Sequence, residues 1–521
     1  MARVLIRSCP DYDSDRIRRI VREGLETLDL RPHGRTLVKP NAVAAGRFFP
    51  HAYTRPEFLK GVLEALRDRA EGPLEELALG ERCGITMPTR FAFDQAGYYR
   101  ALRGVPGLRF RHFEEEVQVP IPLYHDGRLR DHFYTPTSVA SADFFVNCPK
   151  FKAHPWTTVT FSMKAYIGIQ DDRHRLLDHD HLLERKVADL QYALQPRFIA
   201  IDAITAGEGR MLTPLPFDLG LVLMGDNQLA FDVVCCHVAG VDPRQVEHLR
   251  VAHERGFGPI DLDDIQIGGD VSLDEARERA QGFRTGLIRV DDYFRGTSIR
   301  AYGGRPPGDT HDYCWGGCPG ALEEAIEILR IVDAATDAKM PKLHLVFGKV
   351  DRPIVAEPGE KVIFIGDCAE YDGEIGGAPV HIENLYVDRS QRSPEAARDK
   401  DIFAKMLEVQ ARLFATRNQP VMRLAGCPVS VAEQVLALVH LGRLKNPYLV
   451  PDVSAHFVSA YFSTRMRTAL SRLLGRPHTQ PAAVRRGDAR PPQSLPPPGT
   501  ATRFEAPPRL SAGAAQKIKE D

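Results

Sequence analysis

Four of the nine cysteines lie in the second half of the sequence, each within two residues of glycine or proline. Cys368 and Cys427 follow apolar runs typical of strands, whereas Cys314 and Cys318 precede a helical pattern that starts near Gly320. All four are therefore predicted to occupy strand-to-helix loops of one α/β unit. Glycines and helix N-termini at such loops favour thiolates. Four thiolates that converge in this way are typical ligands of an iron–sulfur cluster.

Two alternatives remain for these cysteines. A structural zinc site usually combines two close pairs of ligands, whereas this sequence has one close pair and two separate cysteines. Unrelated buried cysteines are the other alternative, but these would not all be expected beside glycine at strand ends. The pattern favours an iron–sulfur cluster over both.

The motifs CWGGC, GDCAEYDGEIGG and GCPVSVAEQVLAL occur in that order. Together they resemble the 20-kilodalton subunit of NADH:quinone oxidoreductase and the small subunit of nickel–iron hydrogenases. In that family a flavodoxin-like domain binds one 4Fe–4S cluster through a close cysteine pair, a cysteine in G-x-C-A-x-x-G-G and a cysteine in G-C-P. The resemblance covers about residues 305–445 and implies Cys314, Cys318, Cys368 and Cys427 as the ligands. The first pair is C-x3-C here, whereas the family has C-x2-C or adjacent cysteines.

Polar residues also gather at the predicted strand ends of the N-terminal part. The candidates for catalysis are Lys150, Lys152, His154, Lys164 and Asp202, and those for substrate binding are Lys39, Asn41, Glu81, Glu208 and Asp232. Lysines directly after apolar strands are costly to bury unless they meet an anion. These residue types suit a phosphate- or carboxylate-bearing ligand, with His154 as a proton donor. Lysines that end the strands in solvent are the alternative.

The same segments resemble the domain-of-unknown-function family 362. The matching motifs are Lys39-Pro40-Asn41, the stretch from Pro149 to His154 with Lys164 and Gly168, Asp202, and the stretch from Asp226 to Asp232. They cover most of residues 1–270. Members of this family often carry ferredoxin-type clusters, which implies a redox role. This sequence departs from the pattern at Arg210, where glycine-rich residues are common.

The sequence predicts two α/β domains, one for the polar residues of the N-terminal part and one for the four cysteines. Strand-like apolar runs alternate with amphipathic helical patterns over residues 1–290, and again over residues 291–450 in a second domain of flavodoxin-like size. Residues 451–476 predict a basic amphipathic helix, expected to pack on a domain, with a membrane surface as the alternative. Residues 477–521 are rich in proline and arginine, which is typical of a disordered tail.

The segment from His174 to His181 contains three histidines and neighbouring aspartates. Nitrogen and oxygen ligands of this kind could bind a divalent metal ion. A solvated loop that leads into a helix, with an aspartate as its N-cap, is the more common structure for such a run.

Composition limits the remaining classes of protein. The chain has 521 residues, 26% of them charged, and a formal net charge of −1. Nucleic-acid binding usually needs a strongly basic surface, so it is not expected. A run of about 18 apolar residues, which a transmembrane helix needs, is absent from the sequence. The N-terminal apolar stretch is also too short for a signal peptide, so a cytoplasmic protein is predicted.

Together these features predict an iron–sulfur oxidoreductase. It would pass electrons through a 4Fe–4S cluster to an anionic small molecule or cofactor in the N-terminal domain, and would exchange electrons with a redox partner protein. A non-catalytic electron-transfer subunit that docks to a partner enzyme is the first alternative. An anion-binding enzyme without a cluster is the second.

Overall fold

The structure, a computed structural model, describes residues 1–84, 87–123, 125, 127–170, 175, 177–179, 182–192, 194–286, 288–306, 313, 317–386 and 402–475. Cys314, the histidines at 174 and 181, and the predicted tail at 477–521 lie outside the described residues. The chain divides into two units. Unit 1 contains the described residues of Met1–Thr285 and those from His456 onward, and unit 2 contains the described residues between Gly286 and Ala455. Both are α/β, which confirms the predicted fold class.

Unit 1 alternates strands and helices along the chain. Its strands are β1 Ala2–Ser8, β2 Arg35–Pro40, β3 Glu76–Glu81, β4 Leu108–His112, β5 Gln118–Pro122, β6 His132–Pro136, β7 Phe144–Cys148, β8 Lys150–His154, β9 Thr158–Val159, β10 Phe198–Glu208, β11 Leu215–Gly225 and β12 Ile265–Gly269. Its helices before residue 285 are α1 Ser14–Thr27, α2 Pro56–Asp68, α3 Thr89–Gln95, α4 Tyr98–Ala101, α5 Thr137–Ala140, α6 Phe161–Lys164, α7 Leu183–Leu190, α8 Gln228–Val238, α9 Glu247–Glu254 and α10 Leu273–Arg279.

Within the described residues, ten of these strands form one mixed sheet. Its main order is β12-β1-β11-β10-β7-β2-β3-β4, and β8 pairs with β10 and β9. A hydrophobic core covers each face of the sheet. Strands buried on both faces read as continuous apolar runs, as β7 does with its sequence FFVNC. Because β2, β3 and β7 are parallel, their carboxyl ends meet at one edge, where ligands of open α/β sheets usually bind.

Unit 2 is a smaller sheet with helices packed on it. Its strands are β13 Ile299–Gly303, β14 Leu343–Lys349, β15 Lys361–Ile375, β16 Ala378–Ile382 and β17 Val421–Leu424, and its helices are α11 Val290–Tyr293, α12 Gly317–Val332, α13 Thr336–Lys339, α14 Ile402–Thr416 and α15 Val431–Gly442. Strands β13, β14, β15 and β17 are parallel neighbours in that order. The far half of β15 pairs antiparallel with β16. Leu322 of α12, Leu413 of α14 and Val435 of α15 share one core, which brings these three helices together.

The last described helix is α16 (Pro451–Leu473), and its residues from His456 onward belong to unit 1. The His456 ring lies 2.8 Å from the Asp94 carboxylate, and the rings of Phe457 and Phe91 meet edge to face. These contacts place one side of α16 against α3. Across the described part of the chain, the helices are either too short or too polar to cross a membrane.

Candidate functional site

Three of the four predicted cysteine ligands come together in unit 2, and all three are buried. The sulfurs of Cys318 and Cys368 lie 3.4 and 3.5 Å from the position that a Cβ atom would take on Gly366. Electrostatic interaction of Cys318 with both Cys368 and Cys427 places the third thiol nearby. The structure therefore joins three thiols that are separated by about fifty and sixty residues in the sequence. Cys314 lies outside the described residues.

Two of these cysteines do not occupy the predicted loops. Cys318 lies within α12, which begins at Gly317 rather than near Gly320. Cys368 lies within β15, which continues to Ile375 because it changes partner on the way. Regular parallel pairing with β14 and β17 ends at Ile365, and antiparallel pairing with β16 starts at Tyr371. Between these two pairings Gly366 has a φ of +109°, a conformation that favours glycine and turns the strand.

Two polar residues missed by the sequence analysis hold the cysteine segments together. The Gly426 N–H donates to the Asp367 carboxylate at 2.7 Å, and the Asp367 N–H donates to the Gly426 carbonyl at 2.9 Å. The Arg423 guanidinium donates to the carbonyls of Gly366 and Asp367, at 3.1 and 2.6 Å, and to that of Ala369. Each of these two residues is a charged side chain close to a cysteine in an otherwise apolar stretch. That is the signal that could have identified them.

The Cys318 thiol is buried and accepts one hydrogen bond from the backbone. Burial raises the pKa of the Cys318 thiol well above its usual value, and Cys368 and Cys427 raise it further. The Val429 N–H opposes this shift by donating to the Cys318 sulfur at 3.2 Å. A bound metal deprotonates a coordinating thiol, and N–H donors to sulfur are typical around iron–sulfur clusters. Among the residues that the structure describes, a group of three or more His, Cys, Asp or Glu side chains that could hold a metal ion is not found.

A cluster of basic side chains lies in unit 1 near the end of β8. It contains Lys152 and His154 of β8 and Lys164 at the end of α6. Lys152 donates to the Met211 carbonyl at 2.9 Å. His154 Nδ1 accepts the Trp156 N–H at 3.1 Å, which leaves the ring proton on Nε2. We call Lys152, His154 and Lys164 the basic cluster.

Lys164 is the member of the basic cluster without a partner. It is partly buried, and within the described residues its ammonium makes no hydrogen bond and no ion pair. Burial lowers the pKa of Lys164 well below its usual value, and the charges of Lys152 and Arg175 add to this effect. Glu184 opposes the shift, but the two are not in contact as an ion pair. The pKa of His154 is also lowered well below its usual value, first by burial and then by Lys164 and Lys152. This shift favours the neutral ring, and the role of His154 as a proton donor stays a prediction.

The structure places two other predicted catalytic residues in a closed network. Lys150 and Asp202 are fully buried, with 2.9 Å between Lys150 Nζ and Asp202 Oδ2. The Tyr12 hydroxyl donates to Asp202 Oδ1 at 2.9 Å and accepts from Lys150 Nζ at 3.0 Å. The Arg55 N–H also donates to Asp202. Lys150 therefore does not join the basic cluster, and its charge is compensated inside the protein.

The predicted substrate-binding residues near the ends of β2 and β3 also contact one another. Lys39 Nζ lies 2.8 Å from Glu81 Oε2, and both side chains are buried. Burial raises the pKa of Glu81, while Lys39 opposes the shift. The side-chain nitrogen of the buried Asn41 has no hydrogen-bond partner in the described structure, so it is available to a ligand. Arg175, which the sequence analysis did not single out, donates to the carbonyls of Arg82 and Gly168 at 3.1 Å.

Glu208 and Asp232 have structural partners. Glu208 accepts the Arg284 N–H at 3.1 Å and its guanidinium at 2.8 Å. Asp232 accepts the N–H groups of Ser162 and Met163, both at 2.8 Å, and so caps α6. Burial raises the pKa of Asp232 to about 8. Both carboxylates thus organise the backbone around the basic cluster.

The proposed metal segment is only partly described. Asp178 accepts two hydrogen bonds from the Arg130 guanidinium, at 2.9 and 3.0 Å. The His179 ring packs against Trp156, with 5.3 Å between ring centroids. His174 and His181 lie outside the described residues, so the predicted alternative of a metal site stays a prediction.

Residues 36–237 match the family model described as "Domain of unknown function (DUF362)". This match confirms the resemblance predicted for the N-terminal part, and it includes every candidate residue of unit 1. A curated relative, the thylakoid-associated protein sll1697 of Synechocystis sp., is 22% identical in an alignment of length 247 that covers 44% of this chain and 70% of the relative. The lactate racemase apoprotein of Thermoanaerobacterium thermosaccharolyticum aligns in structure with a TM-score of 0.31 and 9% identity, over 69% of this chain and 82% of that chain. The resemblance predicted for unit 2 stays a prediction.

Proposed function

We propose that the chain is an iron–sulfur oxidoreductase. Unit 2 would bind a 4Fe–4S cluster, and unit 1 would bind an anionic small molecule or cofactor. The observation that carries the proposal is the convergence of Cys318, Cys368 and Cys427 at one buried place lined by glycine. Burying three thiols together stabilises a fold little by itself, whereas it is what cluster ligation requires.

In unit 2 the protein would supply three ligands from the described residues, and Cys314 is the fourth that the sequence implies. The cluster would supply one-electron transfer. The Val429 N–H would withdraw electron density from the Cys318 sulfur, and Arg423 would place a positive charge beside Cys368. Both effects stabilise the reduced, more negative state, so they raise the reduction potential.

In unit 1 the basic cluster would bind the anion. Lys152 and Lys164 would supply positive charge, and neutral His154 would donate a hydrogen bond from Nε2. A bound anion would favour the ammonium form of Lys164, because a negative charge close to the amine offsets the repulsion from its cationic neighbours. Lys164, with its lowered pKa, is also the side chain in this cluster best suited to exchange a proton with the ligand.

The test is iron and acid-labile sulfide per chain on anaerobically purified full-length protein, with an electron paramagnetic resonance spectrum after dithionite. We expect about four of each and a reduced-cluster signal. Cys368→Ala and Cys427→Ala should lose both. Cys235→Ala and Cys236→Ala are matched controls, because these thiols are equally buried but lie on α8 of unit 1.

Protein that contains zinc or no metal but binds anions normally would contradict the iron–sulfur cluster. It would leave the anion-binding role of Lys152, His154 and Lys164 in unit 1 unaffected. Iron that persists in both Cys368→Ala and Cys427→Ala would contradict the assigned ligands. Equal loss of iron in the two control variants would show that removing a cysteine acts through folding. In that case Cys→Ser variants at 368 and 427 decide: the proposal stands only if they fold and still lose iron.

A further inference from the structure

A histidine that the sequence analysis did not single out forms a buried pair in unit 1. His248 lies on α9, and its side chain is fully buried. Its Nδ1 is 3.0 Å from Glu184 Oε1 on α7. An ionised carboxylate can only accept a hydrogen bond, so the ring carries a proton on Nδ1. In the neutral ring Nε2 is then an acceptor on the side away from Glu184.

Nε2 of His248 is the atom of interest. It is buried, and among the described residues it has no hydrogen-bond partner. A buried acceptor that is left unpaired costs free energy, and most buried polar atoms in proteins do have a partner. The side of the ring away from Glu184 therefore suits a ligand group that donates a hydrogen bond.

The pair of Glu184 and His248 lies beside the basic cluster. Helix α7 packs against α6, which ends at Lys164, and α9 packs against α7. Burial and then cationic neighbours lower the pKa of Lys164, and Glu184 opposes this shift. Burial is also the main cause that lowers the pKa of His154, and His248 is one of the neighbours that add to it. Because such electrostatic effects fall with distance, the packing and the charges indicate the same neighbourhood.

The two histidines near this place offer a ligand opposite groups. His154 accepts the Trp156 N–H at Nδ1, so its Nε2 carries the proton and donates. His248 donates to Glu184 from Nδ1, so its Nε2 accepts. A fully deprotonated anion has only acceptors, which match the basic cluster but leave His248 unpaired. An anion that also carries an O–H group would match both.

We propose that the anion bound by unit 1 carries a hydroxyl group, which donates a hydrogen bond to His248 Nε2. This inference rests on the proposed anion-binding function of the basic cluster and makes His248 a specificity-determining residue of that site. The anionic oxygens would meet the basic cluster, and the O–H group would meet His248. Glu184 would be a positioning residue, because it holds the ring proton on Nδ1.

The experiment is isothermal titration calorimetry of the full-length protein with two pairs of anions at about pH 8. Hydrogen phosphate and sulfate have the same shape and nearly the same charge at this pH, but only hydrogen phosphate has an O–H group. Hydroxymethylphosphonate and methylphosphonate differ by a hydroxyl on the neighbouring carbon, so the two pairs distinguish where the ligand carries its hydroxyl. We expect the hydroxyl-bearing member of at least one pair to bind about tenfold more tightly.

Three variants locate the origin of this preference. His248→Leu removes the acceptor, so the hydroxyl-bearing anion should bind about tenfold more weakly and the other anion as before. Glu184→Met lets the ring proton move to Nε2, where it can donate to either anion, so the hydroxyl-free anion should bind more tightly. The matched control is Glu247→Met, which removes a second pair between α9 and α7, from Arg185 Nε to Glu247 Oε1 at 3.0 Å. It should keep the preference.

Equal binding within both pairs by the unmodified protein would overturn this inference and leave the anion site of unit 1 in place. Failure of all four anions to bind would contradict the proposed anion-binding function itself, and the inference with it. A preference that His248→Leu leaves intact, or that Glu247→Met removes equally, would reduce the Glu184–His248 pair to a contact between two helices. If His248→Leu fails to fold, as judged by circular dichroism, Glu184→Met decides, and an unchanged preference in that variant overturns the inference.

Discussion

Two lysines of unit 1 that look alike in the sequence have opposite surroundings in the structure. Lys150 is fully buried, and its charge is balanced by Asp202 and the Tyr12 hydroxyl. Lys164 is partly buried, and within the described residues its ammonium has neither a hydrogen bond nor an ion pair. Burial lowers the pKa of both lysines, but Asp202 opposes the shift at Lys150, whereas cationic neighbours increase it at Lys164.

The two lysines therefore differ in role: the charge of Lys150 supports the fold, whereas the amine of Lys164 is available to bind a ligand. A buried cation with a carboxylate partner contributes to the fold and has little left to offer a ligand. A crowded cation without a partner costs free energy until an anion arrives. Cys318 of unit 2 is the anionic counterpart of Lys164. Burial and the neighbouring thiols disfavour its thiolate unless a cation is present.

Removal of Lys150 tests the structural side of the comparison and has the largest expected effect. Lys150→Met leaves Asp202 as a buried carboxylate without its cation, which should lower the free energy of unfolding by about 3–5 kcal/mol. Urea unfolding measures this change. The double variant Lys150→Met, Asp202→Asn should recover part of it, because the uncompensated charge is then gone. No loss in the single variant would break the distinction between the two lysines.

Removal of Lys164 tests the binding side. Lys164→Met should weaken phosphate binding, measured by isothermal titration calorimetry, about 10- to 100-fold, because a charge-assisted hydrogen bond contributes about 1.5–3 kcal/mol. Its free energy of unfolding should stay the same or rise, since the variant removes an amine whose charged form is disfavoured by burial and by cationic neighbours. Lys60→Met on α2, another partly buried lysine, is the control and should bind phosphate normally. A large loss of stability would instead assign Lys164 to the fold.

The pH dependence of stability sharpens the comparison further. His154 has a folded-state pKa well below its ordinary value of 6.5. Below pH 6.5 the unfolded chain therefore binds more protons than the folded protein, so the free energy of unfolding should rise with pH, by at most about 1.4 kcal/mol per unit for one group. Urea unfolding at several values below pH 6.5 should show this slope, and His154→Gln should reduce it. Phosphate should also reduce it, because a bound anion favours the protonated cluster. If neither His154→Gln nor phosphate changes the slope of unfolding free energy against pH, the pKa of His154 is not lowered in the folded protein.

Glu208 supplies the smallest expected effect. Its partner Arg284 is 59% exposed, so solvent screens the pair. Arg284→Gln should change the free energy of unfolding by no more than about 1 kcal/mol, with phosphate affinity unchanged. Thermal unfolding and calorimetry check the two quantities. A marked change in phosphate affinity would instead support the substrate-binding role that the sequence predicted for Glu208.

The comparison also explains what sequence could predict here. The alternating apolar runs predicted the α/β class, and the cysteine motifs singled out Cys318, Cys368 and Cys427, which lie near one another, whereas their role as ligands stays a prediction. Local sequence could not distinguish Lys150 from Lys164, because the groups that pair with Lys150 lie 52 and 138 residues away. Cys368 was misplaced for a similar reason: a strand normally ends at a glycine-containing turn, and only β16 explains why β15 continues.

The paired hydrogen bonds between Asp367 and Gly426 have a consequence for how the protein matures. They connect two cysteine segments through the backbone and the Asp367 side chain, and Arg423 donates to three carbonyls of one segment. These contacts hold the segments that carry Cys368 and Cys427 side by side. Small zinc domains fold only as they bind their metal. For the cluster proposed for unit 2, these hydrogen bonds would hold the segments that carry Cys368 and Cys427 together independently of the cluster.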